Sequence, residues 1–529
     1  MHEEFSMEDP TQLLETASDF ANYPGVLNDA AVRDFLNRFP LPAIINALQT
    51  KLDVPGLENT LTACLERLFK TKFGASLIPQ YMPFVQVGLQ ADSQAVRSLA
   101  CKTVTCLLEE LDCDTDVAAR LIAEYNIYPL LLDCLVNGNE QVAAAAMDVI
   151  KKLAHSPEGR EIIFPSAREG AADLRTLASQ CSSLGRVRVM ALVVKLFSVS
   201  KSAASTIYSL NLLNFLEAEI ANADDTLVTL SVLELLYELA EIEHSTEFFS
   251  KTNLLQLLSS IISNNSVEAI LKSRAMMIIG RLLSKEIIYT FIDESCLKTV
   301  ISSIDGRLKS LESSDRDECE TALEALGHIG LSIPGAALLL SGTSPVARHV
   351  IYAAFDQQGP QGHGKQLAAL HALGNISGET RSENDKILNS EAEENVRRLI
   401  YEVGSRNSKL TPSGLFLSVL RQDSEIRLAG YRMISGLVAR SWCLMEICSK
   451  QEIINMVTDP SSETTKIGME ARYNCCKAIH KSLMQSSKLS VDPALAAIDA
   501  KLQEAIEMGP YLVRKHVEAQ PIVMTAERF

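Results

Sequence analysis

The chain has 529 residues, of which 47% are hydrophobic and only 5% aromatic. Its 49 Lys and Arg against 66 Asp and Glu leave a formal net charge of −17. That charge argues against binding nucleic acid or an anionic membrane surface, because both need a basic footprint on the protein. The few aromatic residues and the abundant Leu, Ala and Ile favour an all-helical protein over a sheet protein.

One type of helix recurs along the chain. Each copy follows an Asp-, Asn- or Ser-rich turn and carries apolar residues at positions 0, 3, 4, 7, 8 and 11, which is helical spacing. The copies begin at Leu57, Val96, Val142, Val187, Val228, Leu271, Cys319, Gln366, Ile426 and Ile467. Most starts lie roughly 40–47 residues apart, the period typical of HEAT and armadillo repeats, and another helix precedes each copy.

A lone helix pair cannot bury its apolar stripes, so we predict that neighbouring pairs stack around one continuous core. The predicted fold is an all-α, armadillo/HEAT-like α-solenoid: a right-handed superhelix of about ten or eleven repeats that covers residues 1–508 as a single domain. One longer step, from Gln366 to Ile426, contains a charged segment near 377–412. The sequence allows two interpretations of this segment, a long exposed loop or an extended form of the helix that precedes the recurring one. Residues 509–529 are predicted to form an extended tail.

No catalytic constellation is found. Gly359, Gly364 and Lys365 nearly match the phosphate-binding G-x-x-x-x-G-K-[ST] pattern, but Gln366 replaces the hydroxyl residue and no strand precedes it. The nine His are scattered, and the twelve Cys read as reduced core residues of a cytoplasmic protein, with the nucleus as an open alternative. The acidic N-terminus is not a secretion signal, and no apolar run is long enough to cross a membrane. We therefore expect a monomeric, non-enzymatic protein without a cofactor or metal.

The segment Ala369–Glu379 resembles the third helix of an armadillo repeat. Nuclear-import receptors of that family bind basic peptides through a recurring Trp and Asn; here Asn375 matches, His371 replaces the Trp, and the pair does not recur. A generic armadillo adaptor or transport-receptor-like scaffold stays the alternative function. If the armadillo geometry holds, positions 5 and 9 of the recurring helix face a concave binding surface. The candidate partner-binding residues at these positions are Tyr237, Glu324, His328, His371, Asn375, Tyr431 and Arg472.

The C-terminal third carries a more specific resemblance. The segments Glu425–Ile447 and Glu452–Ile479, with the single tryptophan Trp442, and the motif Gly509-Pro510-Tyr511 resemble the non-ATPase regulatory subunit 5 family of the 26S proteasome. The resemblance implies an assembly chaperone of the regulatory particle base. Such a protein binds the C-terminal domain of AAA ATPase subunits and associated base precursors, and it is absent from the mature 26S proteasome. The family ends in a Gly-Pro-Tyr tail, which Gly509, Pro510 and Tyr511 match.

Overall fold

Helices account for almost all of the described structure. The computed structural model describes residues 10–50, 54–110, 115–165, 174–222, 225–249, 251–310, 316–356, 362–406, 411–486 and 492–511. Within these ranges the chain forms 31 α-helices and four short 3-10 helices, and no β-strand. Internal packing divides the chain into two units, Met1–Phe248 and Phe249–Phe529, which are described separately.

Unit 1 contains sixteen complete α-helices within its described residues. They are α1 (Pro10–Ala21), α2 (Asp29–Arg38), α3 (Leu41–Thr50), α4 (Leu57–Phe69), α5 (Lys72–Leu77), α6 (Met82–Leu89), α7 (Gln94–Glu110), α8 (Thr115–Glu124), α9 (Ile127–Asn137), α10 (Glu140–Leu153), α11 (Pro157–Ile163), α12 (Leu174–Gln180), α13 (Ser183–Val199), α14 (Lys201–Ser209), α15 (Asn214–Asn222) and α16 (Thr226–Glu241). The short helix α17 (Ser245–Phe249) lies at the border, and a 3-10 helix covers Ile78–Tyr81.

Unit 2 contains the remaining helices. They are α18 (Leu254–Ser263), α19 (Ala269–Leu283), α20 (Glu294–Ser310), α21 (Arg316–Ile329), α22 (Ile333–Leu339), α23 (Ala347–Ala354), α24 (His363–Ile376), α25 (Ser390–Arg406), α26 (Pro412–Leu420), α27 (Ser424–Leu437), α28 (Ser441–Cys448), α29 (Gln451–Thr458), α30 (Lys466–Met484) and α31 (Pro493–Met508). Short 3-10 helices cover Glu286–Thr290, Glu383–Asp385 and Pro460–Ser462.

All ten recurring helices of the sequence pattern are present, as α4, α7, α10, α13 and α16 in unit 1 and α19, α21, α24, α27 and α30 in unit 2. Within each unit, every one of them packs on the next along the chain. Their apolar stripes are buried; in α10, for example, Val142, Val149 and Leu153 are fully covered. This confirms an all-α solenoid of stacked helices, in which each layer covers the apolar face of its neighbour.

Short polar side chains set where many of these helices begin. The Asn139 side chain accepts a hydrogen bond from the backbone N–H of Val142, and the side chain of Asp225 accepts one from Val228, as the turn chemistry predicts. A second type of start pairs a Ser or Thr cap with a glycine three residues later. Ser332 accepts from the N–H of Gly335 at 3.1 Å in this way. Because the last turn of α21 lies against this glycine, the chain turns sharply from one helix into the next.

The charged segment near 377–412 is structured over its described residues. A 3-10 helix at Glu383–Asp385 leads into α25, so the helix alternative holds for residues 390–406. Arg440 anchors the segment, since its buried guanidinium contacts both oxygens of Glu393 at 2.9 Å and the carbonyl oxygen of Lys386 at 3.1 Å. Arg381 donates to the backbone carbonyls of Gly330 and Leu331 at the end of α21. Burial and the charge of Arg440 lower the pKa of Arg381 to about 10.

The single continuous solenoid of ten or eleven repeats remains a prediction. Of the predicted tail, Gly509, Pro510 and Tyr511 are described, while residues 512–529 lie outside the described ranges. No helix among the described residues has both the length and the apolar character needed to cross a membrane.

Candidate functional site

In unit 2, the recurring helices α19, α21 and α24 pack so closely that their backbones are in contact at glycine residues. A Cβ added to Gly280 on α19 would lie 2.9 Å from the Cα of Ala325 on α21. A Cβ added to Gly327 on α21 would lie 2.8 Å from the Cα of Ala372 on α24. Because a real Cβ does not approach another carbon so closely, glycine is what allows these three helices to pack at this distance.

Polar side chains follow these glycines along the same edge of the stacked helices. Arg281 comes directly after Gly280, and His328 comes directly after Gly327. We define the polar strip as Arg281, Glu324, His328, His371, Asn375, Glu379 and Arg432, all of which are exposed or half-buried. Four of these residues, Glu324, His328, His371 and Asn375, belong to the predicted binding set.

Arg432 connects two members of the strip. Its guanidinium lies 2.9 Å from Nδ1 of His371 and donates to Glu379 at 3.0 Å. Because an arginine can only donate, this geometry places a lone pair on Nδ1 and makes the neutral imidazole the favoured form. Burial and the nearby positive charge of Arg432 lower the pKa of His371, while Glu379 opposes the shift.

His328 on α21 is in a similar environment. Burial and the positive charge of Arg281 lower its pKa below the usual value for histidine. The strip therefore combines two histidines whose pKa is lowered with arginines and carboxylates. Such a surface presents hydrogen-bond donors and acceptors of both charge signs to a protein partner.

The two histidines give a testable pH dependence. A histidine whose pKa is lower in the folded state than its ordinary 6.5 loses protons on folding, so its contribution to stability is complete above pH 6.5 and is lost as pH falls toward the folded pKa. We expect His371→Gln to reduce the loss of unfolding free energy between about pH 7.5 and pH 5.5, as measured by urea denaturation at both pH values. Arg432→Gln should also reduce this loss, because it removes one cause of the shift. Parallel behaviour of His371→Gln and the parent protein would contradict the prediction.

Two predicted binding residues are buried, and this corrects the expectation that they line a surface. Tyr431 is 0% exposed and Arg472 is 1% exposed. Burial raises the pKa of the Tyr431 hydroxyl well above its usual range. On α27 the side chain that reaches His371 is Arg432, one residue after the predicted position.

The error in α30 has a clear origin. The pattern counts positions from the first apolar residue of each helix, and in α30 that residue, Ile467, is 67% exposed. Its neighbour Gly468 is the buried one. Counting from Gly468 places Tyr473 and Lys477 at positions 5 and 9, and there the Lys477 ammonium lies 5.5 Å from the centroid of the Tyr473 ring. The sequence does contain a signal for the correct register. Glu470, Tyr473 and Lys477 are three and four residues apart, so they form a polar stripe on one face of α30.

Arg472 instead joins the tail motif to the repeats. Its guanidinium donates to the carbonyl oxygen of Val457 at 2.7 Å and to that of Pro510 at 3.2 Å. Gly509 ends α31 with a φ of 82°, which favours glycine and turns the chain toward this contact. The Tyr511 hydroxyl donates to the carboxylate of Glu470 on α30. The first residues of the predicted tail therefore pack on the last repeat.

Tyr237 is half-buried on α16 of unit 1, whereas the other six candidates belong to unit 2. The described residues of the phosphate-loop pattern do not form such a loop. Gly364 and Lys365 lie in the first turn of α24. Gln366 is buried, and its side-chain amide donates to the carbonyl oxygen of Ala354 at 3.1 Å. Gly359 lies outside the described residues. Among the residues that are described, no group of three or more His, Cys, Asp or Glu could hold a metal ion.

Residues 57–527 match the sequence profile of a family described as proteasome non-ATPase 26S subunit. The chain belongs to this family. The match confirms the resemblance read from Trp442 and the Gly-Pro-Tyr motif, and membership gives the chain a proteasome-related role.

Named relatives agree with the family match. The bovine 26S proteasome non-ATPase regulatory subunit 5 is 20% identical over 451 residues, which cover 85% of this chain and 84% of the bovine one. The human protein of the same name is 20% identical over 456 residues with the same coverage, and the mouse protein is 22% identical over 198 residues, 37% of this chain and 38% of the mouse one.

Solved structures are more distant. An engineered protein, target OR497 of the Northeast Structural Genomics Consortium, is 14% identical with a TM-score of 0.40 and covers 82% of this chain and 96% of its own. A structure described as "A conserved phosphorylation switch controls the interaction between cadherin and beta-catenin in vitro and in vivo" is 14% identical with a TM-score of 0.38 and covers 95% and 97%. At these low scores the fold rests on the helix packing of this chain.

Proposed function

We propose that this chain is a non-catalytic assembly chaperone of the base of the 26S proteasome regulatory particle. It binds the C-terminal domain of AAA ATPase subunits in a precursor module and leaves before the mature 26S proteasome forms. The observation that carries the proposal is the family match over residues 57–527, together with relatives named 26S proteasome non-ATPase regulatory subunit 5. The proposed compartment is the cytoplasm.

We propose that the polar strip is the surface that contacts the ATPase subunit. Stacked helices of a solenoid present a long surface on which many weak contacts can add up. The strip offers arginines, carboxylates and histidines, and the guanidinium of Arg432 is held in place by Glu379 at 3.0 Å. The net charge of −17 favours a client domain with basic patches, because opposite charges speed the encounter.

The function is tested by capture with the purified, tagged full chain. We expect it to retain free ATPase subunits, identified by mass spectrometry, and not to retain intact 26S proteasome from the same extract. Recovery of intact particles at the same yield would contradict a chaperone that leaves before maturation. Failure to retain any ATPase subunit would favour the generic armadillo adaptor.

Charge reversal in the strip should weaken this capture. Arg432→Glu removes the contacts with His371 and Glu379 and places a carboxylate beside Glu379, so we expect the affinity for an isolated ATPase C-terminal domain to fall by about tenfold or more. The matched control is Lys298→Glu on α20, which makes the same change of charge at a side chain that is 65% exposed. Isothermal titration calorimetry gives both affinities. Equal weakening by the two variants would show that the loss is not specific to the strip and would move the contact away from it.

A further inference from the structure

Helix α6 of unit 1 turns an apolar face outward. Phe84 is 41% exposed and Val87 is 53% exposed, and the ring of Tyr81 lies 6.0 Å from that of Phe84. Phe84 and Val87 are three residues apart and therefore lie on one face of α6. Soluble chains rarely leave a contiguous group of large apolar side chains uncovered, and such a group commonly marks an interaction site.

This face forms one wall of a groove with a volume of about 300 Å³. Ile45 and Leu48 on α3 form the opposite wall. The floor consists of buried side chains of α4 and α7, among them Leu65, Phe69 and Leu99. The groove runs between α3 and α6. Helix α3 packs on α4 and helix α6 packs on α7, so each wall is held in place by another helix. The floor of the groove is therefore preformed.

Among the described residues, the charged side chains that line the groove have the same sign. They are the carboxylates of Glu58 and Asp92, and no described Lys or Arg lines the groove. The Glu58 carboxylate is held by the hydroxyl of Ser93 at 2.6 Å, and Asp92 is exposed. An occupant with apolar anchors and adjacent cations would be complementary, because the cations would meet carboxylates at the rim while the anchors displace water from the groove.

The secondary structure of the occupant follows from the hydrogen bonding of the backbone around the groove. The walls and floor are helices, and the N–H and C=O groups in the middle of a helix are already bonded to each other. An extended peptide would bring unpaired backbone groups into the groove at a cost, whereas a helix satisfies its own. Binding of a helix through anchors at positions i, i+3, i+4 and i+7 is a common mode of recognition in such grooves.

We propose that the groove between α3 and α6 binds an amphipathic helix of a partner protein. Its Leu or Phe side chains enter beside Phe84 and Val87, and its Lys or Arg side chains pair with Glu58 and Asp92. This proposal is independent of the proteasome proposal, because it concerns the N-terminal groove of unit 1 and the chemistry of what fits there.

The test uses the full chain and a fluorescein-labelled model peptide of about 18 residues, or roughly 27 Å as a helix. The peptide carries Leu and Phe at i, i+3, i+4, i+7 and i+11, with Lys elsewhere. We expect saturable binding by fluorescence anisotropy that weakens as salt rises. Val87→Glu should weaken it by about tenfold or more, because it places a carboxylate among apolar groups. The matched control is Leu184→Glu, the same change at a residue on α13 that is 60% exposed.

Each outcome is decisive. Binding that Val87→Glu and Phe84→Ala both weaken, and Leu184→Glu does not, supports the proposal, with circular dichroism confirming that all variants are folded. Equal binding of the peptide with Glu in place of every Lys overturns the proposed charge complementarity. Absence of binding, or unchanged binding by both groove variants, overturns the proposal. Self-association of the chain that Val87→Glu abolishes would instead make the groove an interface between two copies and would also overturn it.

Discussion

Replacing Arg440 with leucine is expected to lower the free energy of unfolding by about 3–5 kcal/mol, the cost of breaking a buried ion pair by removing one partner. The Arg440 side chain is 2% exposed and donates to Glu393, to Ser377 at 3.0 Å and to Lys386 at 3.1 Å. Its loss leaves the Glu393 carboxylate without its cation and frees three backbone carbonyls, those of Ser377, Lys386 and Gly436. The segment that leads into α25 would then lose its attachment to the turn between α27 and α28.

Trp442 makes this measurement selective, because it is the only tryptophan of the chain and lies on α28 of unit 2. Urea denaturation followed by its fluorescence reports the unfolding of this unit. The matched control is Arg398→Leu on α25, whose ion pair with Glu402 is long at 3.8 Å and exposed, so a change below about 1 kcal/mol is expected.

A double substitution separates charge from packing. Arg440→Leu combined with Glu393→Gln should cost less than the two single changes together, because the second change removes the unpaired carboxylate that the first one creates. Strict additivity, or a loss no larger than that of Arg398→Leu, would show that the Arg440 network does not hold the segment.

Replacing Gly335 with alanine is expected to lower the free energy of unfolding by about 2–3 kcal/mol, since a larger side chain at a filled site forces the backbone to shift. A Cβ at this position would overlap the carbonyl oxygen of Ile329 and would lie 2.6 Å from the hydroxyl oxygen of Tyr289. The first of these atoms belongs to the backbone of α21 and cannot rotate away. The turn from α21 into α22 would have to open.

Gly306→Ala is the matched control, in the same unit and also within a helix. A Cβ there meets nothing within 4 Å. We expect this change to stabilise the unit by about 0.5–1 kcal/mol, because alanine loses less conformational freedom than glycine when a helix forms. The same fluorescence measurement compares the two variants. A similar small effect at both positions would contradict the close approach at Gly335.

The helix pattern of the sequence predicted the architecture because its signal is local and repeated. The spacing of Val142, Val149 and Leu153 shows which face of α10 is apolar, and the recurrence of this pattern shows that neighbouring helices must cover each other. The family resemblance likewise depends on local signals, the segments near Trp442 and the motif Gly509-Pro510-Tyr511.

The exposure of the candidate binding residues is harder to predict, because it depends on how each helix is rotated against its neighbours. A shift of one residue turns a helix by about 100°. This is enough to exchange Arg432 at the edge for Tyr431 in the core, and it explains why Arg472 is buried and contacts the carbonyl oxygen of Pro510. His371 and Asn375 were placed at the edge because their helix follows the pattern without a shift.

The amino-acid sequence by itself determined the class of the protein: an acidic, all-helical repeat chain of the proteasome non-ATPase 26S subunit family. Composition and periodicity are sums over many residues, so a few irregular positions do not change them. Only the tertiary structure decided which side chains are available. Gly327 lets α21 and α24 approach closely, Arg440 holds the charged segment, and Val87 lies in a groove wall. These features arise from contacts between residues that are distant in sequence, where spacing carries no signal.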